Sequence, residues 1–175
     1  MKLRFVSGLL ALGLASSSCG TQRMMKKLID ESPHEFDHYY ALRPYLSDDQ
    51  KKTFLKLKTE EERNDYLKGL DLWDRFYDYS EFEREMILAG DVAIGWKKDM
   101  VVMAWGAPYD KQKAPGRQAV RSERYVYRFE GHPDGVVYLW SDSSKTEHKA
   151  NRLFRKELVF DDDILAEITE KAGWE

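Results

Sequence analysis

Gly95-Trp96-Lys97-Lys98-Asp99-Met100-Val101-Val102-Met103-Ala104-Trp105-Gly106-Ala107-Pro108 reads as one short helix with a marked stop. Val101, Ala104 and Trp105 fall at i, i+3 and i+4, a one-sided apolar stripe that needs a partner surface. Gly106 can take the left-handed cap conformation without a Cβ clash, and Pro108 cannot extend the helix, so the end is signalled twice. The start is less regular. Lys97 stands where Ser, Thr, Asp or Asn normally caps, so packing of Trp96 is expected to hold the first turn.

Upstream of this stretch, three helices are announced by their starts. Ser47 with Gln50, Thr59 with Glu62, and Ser80 with Glu83 all follow the S/T-x-x-E/Q pattern, in which the first side chain caps the third backbone amide and the third side chain answers back. The central helix is expected over residues 60–79, with Tyr66, Leu70, Trp73 and Tyr77 as an aromatic-rich core stripe. Downstream the period changes from helical to two. Residues 124–130 alternate, with Tyr125, Tyr127 and Phe129 on one face and Arg124, Arg128 and Glu130 on the other, which is the pattern of a half-buried strand. Residues 136–140, 153–160 and 164–168 read as three more strands, the last two joined by a tight turn at Asp161-Asp162-Asp163. That acidic triplet lacks the alternating ligand spacing and terminal glutamate of a calcium loop.

At the other end of the chain, residues 1–18 read as a targeting segment: Lys2 and Arg4 give a positive start, an apolar run too short to span a bilayer follows, and small residues close it. Cys19, the one cysteine in the chain, comes directly after it. With no second cysteine there is no internal disulfide, and a thiol at this spot reads as a lipid acceptor. Ordinary secretory cleavage is the competing reading, because Ser16 stands where a lipoprotein signal usually has Leu. Residues 19–34 are polar with a brief apolar patch and read as a tether carrying at most a short helix.

The 175 residues, with 13% aromatics and 34% charged side chains, suit one globular domain with a proper core. The net charge is −3, and removing residues 1–18 takes Lys2 and Arg4 from the 28 basic side chains and leaves −5. Such a balance argues against a nucleic-acid partner.

One pattern bears on catalysis. His34-Glu35-Phe36-Asp37-His38 is H-E-x-x-H, which on a helix sets two imidazoles one turn apart as zinc ligands with Glu35 as general base. Ala41 and Pro44 occupy the glycine and third-histidine places of the longer form, and nothing in the spacing singles out one of Glu60, Glu61 or Glu62 as a third ligand. An ordinary amphipathic helix start is the preferred reading, and on it Glu35→Gln should be silent.

Gly95-Trp96 with residues 97–101, then Trp105-Gly106-Ala107-Pro108, then Arg124-Tyr125-Val126-Tyr127-Arg128 and Leu158-Val159-Phe160-Asp161, resembles the small outer-membrane lipoprotein family SmpA/OmlA, known as BamE. The resemblance covers about residues 88–169. It implies helices on one face of an antiparallel sheet, attachment to the outer membrane through a lipidated Cys19, and a structural role for Gly95, Trp96, Trp105, Gly106 and Pro108. Trp96 for Met, Lys97 for the capping residue and an added strand and loop over residues 131–151 depart from that family. The N-terminal half, with Leu46-Ser47-Asp48-Asp49-Gln50, Thr59-Glu60-Glu61-Glu62-Arg63 and Gly95-Trp96, is similar to GWxTD-domain proteins.

The sequence therefore leads to one α+β domain over residues 35–175, with a helical layer over 35–90 packed on one face of a four-stranded antiparallel sheet and the motif helix and sheet spanning 91–172. The expected role is a non-enzymatic, periplasm-facing lipoprotein, held in the outer membrane by its lipid and acting on a protein partner as scaffold or adaptor in envelope assembly, with no cofactor. A periplasmic zinc hydrolase built on His34, Glu35 and His38, and a free-standing ligand-binding module, are the alternatives.

Overall fold

The computed structural model describes residues 19–140 and 150–175. The expected leader over residues 1–18, and residues 141–149 of the expected loop, lie outside them. Helices come first: α1 (Cys19–Glu31), α2 (Pro33–Leu42), a 3-10 turn (Arg43–Tyr45), α3 (Asp48–Lys56), α4 (Glu60–Gly69), α5 (Trp73–Tyr77), α6 (Glu81–Ala89) and α7 (Lys98–Trp105). Strands follow: β1 (Asp110–Lys113), β2 (Ser122–Gly131), β3 (Val137–Trp140), β4 (Arg152–Asp161) and β5 (Ile164–Ala172). The fold is α+β, with the helices N-terminal to one antiparallel sheet. The described chain divides into a helical unit of residues 19–91 with 102–106 and a sheet unit of residues 92–101 with 107–140 and 150–175.

In the helical unit, α1 packs against α2 and α3, and α2 against α5 and α6. The stretch expected as a tether thus carries a 13-residue helix whose Met25 and Leu28 are buried. All three expected capping boxes form, with both reciprocal hydrogen bonds in each. The long central helix does not. After α4, Asp71 adopts φ +56°, and the Leu72 amide donates back to the Leu67 carbonyl at 3.0 Å. This closes the helix in a left-handed cap, which Asp tolerates better than most residues. The break also shifts the buried stripe: Arg63, Leu67, Leu72 and Phe76 face inward, while Tyr66, Leu70, Trp73 and Tyr77 are only half-buried.

In the sheet unit the strand order is β1-β2-β4-β5, with β3 also on β2, so the sheet has five strands against the expected four. The extra strand, β1, is Asp-Lys-Gln-Lys, exposed throughout and without apolar alternation. The tight turn expected over residues 161–163 forms between β4 and β5 from Asp162 (φ +47°) and Asp163 (φ +69°) alone, both in the left-handed region that a type I′ hairpin requires, while Asp161 ends β4. Tyr125, Tyr127 and Phe129 are buried as expected, but Val126 and Glu130 on the opposite face of β2 are buried too. Arg124 and Arg128 on that second face are half-buried, so it is only partly covered.

The motif stretch explains its own irregular start. The Gly95 amide donates to the Leu165 carbonyl and the Leu165 amide to the Trp96 carbonyl, both at 2.8 Å, so residues 95–97 lie beside the beginning of β5. The Lys98 amide then donates to the Asp163 carbonyl at 2.8 Å. Backbone pairing with the hairpin, more than packing of the half-buried Trp96, supplies what the missing cap side chain does not. Gly95 needs its glycine for φ +92° and not for space, since a Cβ there would meet nothing within 4 Å. Val101, Ala104 and Trp105 are buried as the stripe requires, and Met100 and Met103 with them. Gly106, at φ +82°, donates to the Val102 carbonyl at 2.7 Å and closes the helix, and past Pro108 the Tyr109 amide donates to the Val126 carbonyl of β2.

Candidate functional site

The H-E-x-x-H stretch opens α2. Pro33 occupies the first helical turn, where its missing amide is no loss, and Ser32 precedes it without a side-chain cap. The helix places His34 outside and turns Glu35 and His38 inward, where they are 4% and 1% exposed. One helical turn brings the His34 and His38 rings edge to face, 4.7 Å between centroids. To that extent the pattern delivers the juxtaposition it encodes.

The glutamate is committed elsewhere. Arg63 of α4 grips Glu35 with both arms of its fork, Nε donating to Oε1 at 2.5 Å and Nη2 to Oε2 at 2.7 Å, and Nη1 donates to the Leu57 carbonyl at 2.5 Å. Burial alone would raise the Glu35 carboxyl, but hydrogen bonds from Arg63 and Ser32 and the charge of Arg63 hold it below the usual carboxylate range. A carboxylate held this way is a weak base, with both oxygens already accepting charged hydrogen bonds. Glu62, one of the three acids considered as a third ligand, answers the Thr59 cap. Among the described residues no group of three or more His, Cys, Asp or Glu side chains is placed to hold a metal ion.

His38 sits in an aromatic enclosure. A hydrogen bond joins its Nε2 to the Tyr77 hydroxyl, and Trp73, Tyr77 and Phe76 approach it edge-on at 5.3, 5.4 and 6.1 Å. Trp73 and Tyr77 stack on each other at 4.2 Å. Burial, with the nearby charges of His34 and Arg84 and against the pull of Glu35, brings the imidazole down to about 4 from the ordinary 6.5. His38 is therefore neutral in the folded protein over the whole physiological range. Unfolding frees it to protonate, so its contribution to stability is full above pH 6.5, declines as the pH falls toward 4, and changes no further below that. The expected loss is about 3 kcal/mol, and the unfolding free energy of wild type relative to His38→Gln should fall by that amount from pH 7 to pH 4. Parallel curves would contradict it.

The acidic triplet is a hairpin turn with ion pairs. Asp161 accepts a forked pair from Arg117 and a hydrogen bond from Ser122, Asp162 accepts from the Arg121 amide, and Asp163 pairs with Lys98 and Arg121. Of the motif residues, Trp105 is buried, its indole N–H donating to the Gly90 carbonyl at 2.9 Å, where Gly90 (φ +74°) ends α6. Cys19 is the first residue of α1. Sequence reasoning missed Arg63 and Tyr77, the partners of Glu35 and His38, which stand 28 and 39 residues away in the chain with no local signal linking them. It also missed the basic side chains that the sheet gathers on one face: Arg124 and Arg128 were visible in the β2 alternation, but their neighbours depend on strand register. No family model, curated protein or solved structure matches the chain.

Proposed function

We propose that the protein is a non-enzymatic lipoprotein, anchored through Cys19 in the outer membrane and facing the periplasm, that serves as a scaffold or adaptor in cell-envelope assembly. The observation that carries the non-enzymatic reading is the Glu35–Arg63 pair: the residue that a zinc hydrolase would use as its base is spent on bracing two helices. The envelope role rests on the resemblance of the 95–108 stretch and the strands after it to the SmpA/OmlA family. A partner has a surface to meet. Beyond residues 164–165, the outer side of β5 has no neighbouring strand among the described residues, and an unpaired edge offers backbone donors and acceptors to an incoming strand. Crosslinking in intact cells from positions on β5, followed by identification of the captured protein, tests this directly, and capture of an envelope-assembly component is the expected result.

Two long acyl chains hold a protein at a membrane where one would exchange off, at about 0.8 kcal/mol for each buried methylene. Cys19→Ser is therefore expected to move the protein from the membrane fraction to the soluble fraction. An intact mass showing wild-type Cys19 unmodified would contradict the anchor.

The ligand-binding alternative also has an observation in its favour. A cavity of about 200 Å³ opens on the sheet, lined by residues of β2, β4 and β5 and of the β1–β2 connection.

A further inference from the structure

Register places three cations in one row across the sheet. Arg128 of β2 lies opposite Arg155 of β4, and Arg155 lies opposite Lys171 of β5. Like charges directly opposite on neighbouring strands destabilise a sheet, so the row calls for compensation. Arg124 joins it from the same face of β2, two positions from Val126, which pairs with Glu157.

Glu157 is the one carboxylate that pairs with this group among the described residues, and it is fully used. Its oxygens take Arg155 Nε at 3.0 Å and Lys171 Nζ at 2.9 Å, while Arg124 Nε stays at 3.8 Å, beyond hydrogen-bond range. The Lys171 hydrogen bond, with help from Arg155 and the charge of Arg124, outweighs burial and keeps Glu157 well ionised. One negative charge thus answers Arg124, Arg155 and Lys171. Of the neighbouring acids, Asp161 and Glu167 share the single cation Arg117, and Glu130 stands beside His132 at 3.8 Å. Arg128 is stacked on Tyr109 at 3.5 Å and donates to the Trp174 carbonyl.

The hydrogen-bond count agrees with the charge count. Arg124 Nε, Arg155 Nη1 and Arg128 Nε are buried and have no acceptor. Buried charged donors without acceptors are costly, and the cost is removed by an anion that reaches them. A cavity of about 200 Å³ opens beside them, its wall carrying Arg117, Arg124 and Lys171 with Glu157, Glu167 and Thr169; of the three residues with unpaired donors only Arg124 lines it. It is smaller than the clefts that take drug-sized ligands, so it suits a small anionic group.

We infer that this sheet face is a binding site for an oxyanion, the carboxylate or phosphate group of a small ligand, held by Arg124 and Lys171. The inference is independent of the anchor and of the scaffold role. Titration calorimetry of the folded protein at low ionic strength, with inorganic phosphate and separately with glutarate, should show one site per chain for at least one of them, weakening as salt is added. R124Q and K171Q should each weaken binding about tenfold or more, and K52Q on α3, a basic position elsewhere, should not. Tighter phosphate binding assigns a phosphoryl ligand and tighter glutarate binding a carboxylate ligand. Amide shifts of wild type upon titration should centre on Arg124, Glu157, Thr169 and Lys171, which keeps the test open even if a variant fails to fold. Absence of binding by either anion at millimolar concentration, binding that R124Q and K171Q leave unchanged, or shifts centred elsewhere would overturn the inference.

Discussion

Trp105→Ala is expected to lower the unfolding free energy by about 3 to 5 kcal/mol, the usual cost of removing a large enclosed aromatic side chain. The side chain is 5% exposed, so the substitution leaves a cavity, and it also strips the Gly90 carbonyl of its indole donor at the end of α6. For a domain of ordinary stability that is a large share of the total. Trp105→Phe separates the two contributions: the ring is largely kept and the hydrogen bond is lost, so about 1 kcal/mol should go. Urea midpoints of the three proteins give the comparison. A midpoint unmoved by Trp105→Ala would mean that the motif helix does not contribute to the core.

The second large effect is expected at Arg63. Arg63→Ala leaves the Glu35 carboxylate buried without its partner, which costs about 3 to 5 kcal/mol for pairs of this kind. Glu35→Gln, silent on the sequence alone, should instead be destabilising by about 1 to 3 kcal/mol, because it leaves the Arg63 charge uncompensated. Replacing both by apolar residues of similar volume should recover much of the loss, and strictly additive costs would contradict the coupling. The pair also fixes an acid limb. The folded-state carboxyl of Glu35 lies below its ordinary 4.5, so its stabilisation is complete above that value and is lost as the pH falls through the lowered one. Arg63→Ala should remove this part of the acid sensitivity.

What could be read from the sequence was set by the range of the interactions involved. The boxes at Ser47, Thr59 and Ser80 close within three residues, so their letters carry the whole interaction, and all three form. The tyrosine-rich strand was legible because alternation is local, and the Asp162-Asp163 turn because its backbone needs are. Asp71 was not, since an aspartate in the left-handed region carries no signal comparable to glycine, and the break it makes shifted the buried stripe. β1 escaped because it is an edge strand with no apolar face, defined only by its register against residues 123–126. The candidate sites failed for the same reason at longer range. H-E-x-x-H fixes the spacing of His34, Glu35 and His38 but says nothing of Arg63, and the row of Arg128, Arg155 and Lys171 exists only once β2, β4 and β5 are in register.

The scaffold reading stands on His34, Glu35 and His38 being structural, and zinc content is its most direct test. Protein purified without chelator, saturated with zinc and then dialysed, should retain far less than one zinc per chain, since a metal site needs ligands free to turn toward it and His38 Nε2 and both Glu35 oxygens are already bonded. One zinc per chain, lost when His34 and His38 are replaced, would contradict the account.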